Sequence, residues 1–340
     1  IWVVEPSGQV HLRIRDLPKI PVADWVGESR SQMGLRGSFA AEFARAPLPG
    51  GAGETALQTL YGYLIEPIAD VLPTDPTARV VLVPQGPLFL VPFAALRAPD
   101  GTYLIEQHTL VTAPSIQSLG LTRQLRQTRQ SLTQRPLIVG NPAMPAVPGV
   151  NAVMATLPGA EQEASAIATL LDTVALTGHA ASEAAVRQRL NNASLIHLAS
   201  HGLLDYGAPA VSGLRDLPGA IALADGAGHD GLLTSSEIMD LSLTAELVVL
   251  SACNTGQGNI TGDGVIGLSR AFMGAGVPSV VVSLWAVPDA PTADLMTAFY
   301  VQLQTEPDKA QALRQAQLQT LVQYPDPRDW AGFTLVGEAL

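Results

Sequence analysis

Short, uninterrupted apolar runs alternate with helical segments through the second half of the chain, and this alternation limits the folds open to it. Strand-like runs occupy residues 136–141, 194–200, 246–252 and 278–285, and helical spacing lies between or after them at 160–171, 182–190, 265–276, 291–304 and 308–323. The runs are rich in Val, Ile and Leu, without the apolar–polar alternation of a half-exposed strand. Such runs predict a mostly parallel sheet with helices on both faces. The predicted class is therefore α/β.

The first half contains a shorter version of the same pattern. The segment RVVLVPQGPLFL (79–90) has the order strand, polar dipeptide, Gly and apolar run, which is also the order in SLIHLASHGLLD (194–205). In this match Gln85 occupies the position of His201. A polar stretch near residue 133 separates the two halves. We therefore predict an inactive copy of the unit in residues 1–133 and the active unit in residues 134–340.

Charge and cysteine content exclude several classes of function. The formal net charge is -11, and no run of Lys or Arg is present, so nucleic acid and anionic membrane surfaces are not expected partners. The apolar runs are too short for a membrane-spanning helix. The chain has one cysteine, Cys253, which excludes an internal disulfide and a multi-cysteine zinc site. A reducing, cytoplasmic location is expected. Because the chain begins at Ile1 rather than Met, we expect it to be part of a longer protein.

Two of the predicted strands are followed by residues that can react. His201-Gly202 follows the strand at 194–200, and Cys253 follows the strand at 246–252. The carboxyl ends of parallel strands lie at one edge of a sheet, where sites in open α/β sheets are found. A thiol and an imidazole at that edge make a nucleophile and its base. The N–H groups of Gly202 and Cys253 are candidates for an oxyanion hole. This chemistry needs no cofactor.

Several segments, in order, resemble the CHAT domain family. They are HLASHG (197–202), LVVLSACNTG (247–256), GDGVIGLSRAFMGAGVPSVVVSLWAVPD (262–289) and DWAGFTLVG (329–337). The family consists of caspase-like cysteine peptidases of clan CD, related to separase and common behind TPR repeats in bacteria. The resemblance implies a caspase-like three-layer sandwich, preceded by a pseudo-protease half, with His201 and Cys253 as the catalytic dyad. It also implies an endopeptidase that cleaves a protein substrate at few sites in signalling, cell death or defence, gated by an upstream TPR or other sensor region.

The same resemblance suggests residues that bind the substrate. In clan CD folds the strand after the catalytic helix lines the primary pocket, and here that strand leads into Trp285 and Asp289. Trp285 is a candidate apolar wall for the P2 side chain. Asp289 is a candidate partner for an Arg or Lys at P1, which is favoured over an acidic P1. Asp263 and Asp205 are further acids near the expected cleft.

The pocket assignment has competing interpretations. The chain has Ala286 and Pro288 where a separase-like LWDVTD segment has acidic and polar residues, which weakens the argument for a basic P1. Trp285 is equally compatible with an ordinary core position. Asp289 is equally compatible with a cap for a helix that begins near Pro291.

Two other functions compete with proteolysis. One is a protease-like binding module that does not cleave, and the other is a redox-sensing thiol at Cys253, which would need a resolving cysteine from another molecule. A related question is whether the protein, as a peptidase, would cleave itself. The loop at 254–264 contains no Lys or Arg that would match a basic P1. We therefore predict no self-cleavage after a basic residue within that loop.

Other candidate sites have weaker support. GDGVIG (262–267) fits the pattern GxGxxG, but it does not directly follow a strand, and its acid would repel a pyrophosphate. His197 precedes His201 by four residues on a predicted strand without the HExxH glutamate, so we predict a core residue. The spacing of Asp225, Asp230 and Asp263 matches no calcium loop. No metal site is predicted.

Overall fold

The computed structural model describes residues 1–16, 22–33, 35, 55–128, 135–147, 154–204, 206, 219–251 and 262–340. Its strands are β1 (Trp2–Val4), β2 (Val10–Leu12), β3 (Arg79–Leu82), β4 (Thr109–Thr112), β5 (Leu137–Pro142), β6 (Leu176–Gly178), β7 (Leu195–Ala199), β8 (Gly202–Leu203), β9 (Ala220–Ala222), β10 (Leu232–Thr234), β11 (Leu247–Leu250), β12 (Ser279–Ser283) and β13 (Phe333–Gly337).

The α-helices are α1 (Val22–Gln32), α2 (Ala56–Leu64), α3 (Leu104–Gln107), α4 (Ile116–Thr128), α5 (Pro158–Leu170), α6 (Glu183–Leu190), α7 (Ser235–Met239), α8 (Gly262–Gly274), α9 (Asp289–Leu303), α10 (Lys309–Gln323) and α11 (Pro327–Trp330). Short 3-10 helices span Glu66–Val71, Gly86–Leu90, Phe93–Ala95 and His179–Ala181.

A large sheet forms the centre of the molecule, with the strand order β3-β4-β13-β12-β11-β7-β5-β6. Within the described residues, β12–β13 is the one antiparallel pair in this sheet. All residues of β11 and β12 are buried, on both faces of the sheet. Helices must therefore cover both faces, and the predicted α/β class with a mostly parallel sheet is confirmed.

Local signals in the sequence account for many of the element boundaries. A capping box starts α7, because the Thr234 side chain accepts from the Glu237 N–H and the Glu237 side chain accepts from the Thr234 N–H. Ser182 caps α6 through the Ala185 N–H. Glu106 accepts from the Tyr103 N–H at the start of the short helix α3, which precedes β4.

Both halves of the chain contribute to the same sheet. Strands β3 and β4 come from the first 133 residues, and β4 pairs with β13 from the end of the chain. Because β12–β13 is antiparallel, β3, β4 and β13 run opposite to β12, β11, β7, β5 and β6. Gln85 follows β3 and therefore lies toward the sheet edge opposite His201. The proposed boundary falls between α4 and β5, in residues 129–134, which lie outside the described residues, and it stays a prediction.

Helix α5 packs closely against β5 because Gly140 has no side chain. A Cβ atom at Gly140 would overlap the side chain of Ala164 and the carbonyl oxygen of Ala160. Close packing at this point fixes α5 on the sheet beside β5 and β7. The helix and the segment before it then approach the carboxyl ends of these strands, where His201 lies.

Candidate active site

The register of two central strands brings the carboxyl ends of the predicted dyad strands together. β7 and β11 are parallel neighbours, and Leu198 pairs with Leu250. This offset of 52 residues is also the separation of His201 from Cys253 in the sequence. Ser251 directly follows β11 and is the last described residue before Cys253. Cys253 itself lies within residues 252–261, which are outside the described residues. Asp205 is also outside the described residues.

His201 lies two residues beyond β7, with 3 % of its surface exposed. Its Nε2 atom is 2.7 Å from the carbonyl oxygen of Ala155. A carbonyl oxygen can only accept, so we assign the proton to Nε2, which makes Nδ1 the basic nitrogen of the neutral ring. Burial lowers the pKa of His201, and the hydrogen bond to Ala155 opposes that shift. The ring therefore tends to be neutral, in the form that accepts a proton.

Asn141 orders the segment that contains Ala155. Its side-chain Oδ1 accepts from the Leu157 N–H at 2.7 Å, and its Nδ2 donates to Glu161 at 2.9 Å. Asn141 lies at a register shift in the β5–β6 pairing, between Gly140 and Pro142. Its φ of 45° is a left-handed conformation that asparagine tolerates better than most residues. Sequence reasoning missed this residue, although it is the last residue of the predicted strand PLIVGN (136–141).

The backbone that follows His201 is fixed by a second, small sheet. The carbonyl oxygen of His201 accepts from the Ala222 N–H at 2.9 Å, and Gly202 pairs with Ile221. Strands β8, β9 and β10 make up this three-stranded antiparallel sheet. Gly202, the candidate oxyanion-hole residue, is buried at its start. Its role in binding an oxyanion stays a prediction.

A buried polar cluster lies directly behind this edge of the sheet. Glu163 of α5 accepts from the Ser251 hydroxyl at 3.1 Å, and its other carboxylate oxygen is 3.2 Å from His197 Nε2. His197 Nδ1 is 3.1 Å from the hydroxyl of Tyr300. His197 is fully buried, as predicted for a core residue, but it belongs to this polar cluster. The amphipathic patterns of α5 and α9 gave no sign that Glu163 and Tyr300 would meet it.

Trp285 lies in the core rather than on an open surface. Its ring is 2 % exposed, and its indole N–H donates to the carbonyl oxygen of Arg328 at 2.9 Å. The guanidinium of Arg30 lies 5.7 Å from the ring centroid and donates to the Leu284 carbonyl oxygen at 3.0 Å. Burial lowers the pKa of Arg30 to about 10. A substrate would reach Trp285 only if this buried segment moved.

The candidate acids lie in different settings. Asp289 is exposed, and it is the first residue of α9 rather than a cap of a helix that begins later. A Cβ atom at Gly159 would overlap the Asp289 carboxylate, so this side chain lies against the start of α5, four residues after Ala155. Asp289 is therefore at the same edge as His201. Asp263 is the second residue of α8, and its side chain is outside the described residues.

The described part of the chain contains no candidate metal site and no candidate membrane span. No group of three His, Cys, Asp or Glu residues there is arranged to hold a metal ion. None of the helices in that part is long and apolar enough to cross a membrane. A small cavity of about 30 Å³ is lined by apolar residues such as Leu82, Phe89 and Leu284, together with polar residues such as Thr112 and Gln317. It has room for about one water molecule.

Comparison with known proteins gives the family. A model of the CHAT domain matches residues 54–338. The chain belongs to the CHAT domain family. Tetratricopeptide repeat protein 28 of Mus musculus is 31% identical over 320 residues, and that of Homo sapiens is 32% identical over 321 residues. These matches cover 83% of this chain and 13% of each relative, so the CHAT chain spans about an eighth of their length.

One solved structure, with a TM-score of 0.50, supports the fold. The Arg-specific cysteine proteinase gingipain R has a TM-score of 0.50 and 14% identity, with 94% of this chain and 74% of that chain covered. Separase in the Saccharomyces cerevisiae separase–securin complex has a TM-score of 0.49 and 15% identity, with 84% of this chain and 17% of that chain covered. At these identities the likeness concerns the fold alone. The CHAT chain is a mixed α/β protein of caspase-like fold.

Proposed function

We propose that this CHAT domain is a cysteine endopeptidase in which Cys253 is the nucleophile and His201 is the base. The observation that carries the proposal is the 2.7 Å contact from His201 Nε2 to the Ala155 carbonyl oxygen at the carboxyl edge of β7. Because this contact uses Nε2, it leaves Nδ1 as the nitrogen that can accept the proton of Cys253. The shared offset of 52 residues in the β7–β11 register and the dyad supports placing Cys253 opposite it.

The reaction follows from these assignments. The thiol of Cys253 gives its proton to His201 Nδ1, and the thiolate sulfur attacks the scissile carbonyl carbon. The N–H groups of Gly202 and Cys253 bind the resulting oxyanion. When the tetrahedral intermediate collapses, the C–N bond breaks and His201 returns the proton to the leaving amine. His201 then takes a proton from water, whose oxygen attacks the thioester and releases the carboxylic acid and the free thiol.

For the substrate, we propose a protein cleaved after Arg or Lys. Asp289 supports this preference because its carboxylate is exposed at the same edge as His201. Gingipain R, of similar fold, is described as Arg-specific, and this agrees with a basic P1. Asp263 and Asp205 would add negative charge to the cleft. Because Trp285 is buried, its contribution to a P2 wall would require movement of the segment after β12.

The relatives suggest the wider setting of the domain. Both curated relatives are named for tetratricopeptide repeats, and the CHAT chain covers only 13% of them. We propose that a repeat region or another sensor in the same polypeptide gates the site. A cytoplasmic location would keep the single thiol reduced.

Hydrolysis of fluorogenic peptides varied at P1 tests this function. The wild type, Cys253→Ala, His201→Ala and Asp289→Asn are compared under reducing conditions. We expect cleavage after Arg or Lys in the wild type, no cleavage above background in the first two variants, and a raised KM for basic substrates in Asp289→Asn. Equal hydrolysis in the wild type and Cys253→Ala would refute the peptidase assignment. Cleavage after another residue type would retain the dyad and refute the basic pocket.

A further inference from the structure

The polar cluster behind the active-site edge has no evident role in forming the fold. Glu163, His197 and Tyr300 are 3 %, 0 % and 1 % exposed, in a region where neighbouring positions of the same helices and strand are apolar. Burying a carboxylate is unfavourable unless it is well compensated, and apolar residues of similar volume often give equal or greater stability. A cluster of this kind is therefore a candidate for a functional role.

The geometry of the cluster connects four separate elements. The Glu163 carboxylate on α5 reaches Ser251 after β11 with one oxygen and His197 in β7 with the other. The Ser251 contact is a well-directed hydrogen bond, whereas the His197 contact has the distance of an ion pair without a hydrogen-bond angle. The hydroxyl of Tyr300, on α9, is 3.1 Å from His197 Nδ1.

The protons in this cluster can be assigned from its electrostatics. Burial, and then the charge of Glu163, raise the pKa of Tyr300 well above its usual range, so its hydroxyl keeps its proton. That hydroxyl then donates to His197 Nδ1, and the protonated Nε2 faces the carboxylate. The Glu163 carboxylate is thus 3.2 Å from His197 Nε2 and accepts a hydrogen bond from the Ser251 hydroxyl.

The cluster lies where it can affect the distance between the two residues of the proposed dyad. His197 is four residues before His201 on β7, and Ser251 is two residues before Cys253 after β11. A carboxylate that contacts both strands fixes the distance between their carboxyl ends. A displacement of about 1 Å between catalytic groups can lower a rate by about 100-fold.

We propose that Glu163, held by His197 and Tyr300, is a positioning residue that fixes Ser251 and thereby the spacing between the ends of β7 and β11. This inference rests on the proposed peptidase function. None of the four residues contacts the substrate in this account. Their effect is on kcat and on the reactivity of the thiol.

Kinetics of Ser251 variants test the proposal, with Ser279→Ala as the matched control. Ser279 is likewise a buried serine, and its hydroxyl donates to the Glu338 carbonyl oxygen at 2.6 Å, but it lies at the opposite edge of the sheet. We expect Ser251→Ala and Glu163→Gln to lower kcat by about 10-fold or more, with KM within about twofold of the wild type. Ser251→Thr, which retains the hydroxyl, should recover most of the loss. Ser279→Ala should keep wild-type kcat.

A second measurement separates this proposal from the function on which it rests. The rate of Cys253 alkylation by iodoacetamide is measured at pH 7 in the wild type, His201→Ala, Ser251→Ala and Ser279→Ala. If the wild type reacts like a model thiol and is insensitive to His201→Ala, the peptidase function fails and the positioning role fails with it. If the wild type is fast and His201-dependent, but Ser251→Ala equals Ser279→Ala in both alkylation rate and kcat, only the positioning role is overturned.

Discussion

The Nε2 atom of His201 lies 2.7 Å from the carbonyl oxygen of Ala155, 46 residues earlier in the chain. This contact is made by a backbone group, so no side-chain pattern in the sequence could reveal it. It fixes both the orientation and the tautomer of the imidazole. The segment 154–157 is thus as much a part of the candidate site as the strand that precedes His201.

Loss of the Asn141 side chain should impair the site through this segment. In Asn141→Gly the left-handed backbone is retained and the hydrogen bonds to Leu157 and Glu161 are removed. We expect kcat to fall by about 10-fold and the free energy of unfolding to fall by about 1 kcal/mol. Steady-state kinetics and urea unfolding measure both. Unchanged kcat in Asn141→Gly would contradict the role of the segment.

The pKa of His201 should lie below the ordinary histidine value of 6.5, because the ring is buried. Below pH 6.5 the unfolded chain then binds more protons at this residue than the folded protein, so His201 lowers the stability of the fold as the pH falls. NMR titration in Cys253→Ala measures the pKa without the thiol. The difference in unfolding free energy between pH 7 and pH 5 should be smaller in His201→Gln. A titration midpoint above 6.5 would contradict the assignment.

Substitution of Gly140 should push α5 away from the sheet. In Gly140→Ala the new methyl group overlaps Ala164 and the Ala160 carbonyl oxygen, so we expect a loss of about 1–3 kcal/mol in unfolding free energy and reduced activity. The control is Gly120→Ala, on the exposed face of α4, where a Cβ atom meets nothing within 4 Å. That change should stabilise the protein by about 0.5–1 kcal/mol. Equal effects of the two substitutions on urea unfolding would refute this account of the α5–β5 packing.

Lys309 should destabilise the fold at neutral pH. It is 8% exposed and is the first residue of α10. Burial lowers its pKa from 10.5 to about 8. The charge of Arg126 also lowers this pKa, whereas the charges of Glu246, Glu338 and Asp308 raise it. Between pH 8 and 10.5 the unfolded chain binds more protons at Lys309, so its contribution to stability rises with pH across this window. Lys309→Met should be more stable than the wild type by about 1–2 kcal/mol at pH 7, with a smaller difference at pH 9.5. A less stable Lys309→Met at pH 7 would contradict this.

The sequence was sufficient for the features that depend on local pattern. Uninterrupted apolar runs predicted the central strands β5, β7, β11 and β12. The antiparallel strand β13 was not predicted, because its pairing with β12 and β4 depends on contacts across the chain. The contacts of Glu163 with His197 and Ser251 were not predicted either, because they depend on the packing of α5 on the sheet. Glu163 and Ser251 are 88 positions apart in the sequence.

The most direct test of the dyad is covalent labelling with a fluorescent peptidyl acyloxymethyl ketone that carries Arg at P1, with the modified residue identified by mass spectrometry. The account predicts stoichiometric labelling of Cys253 in the wild type, labelling slowed by about 100-fold or more in His201→Ala, and none in Cys253→Ala. Labelling of Cys253 at the same rate in the wild type and His201→Ala would contradict the central claim that these two residues form a catalytic pair.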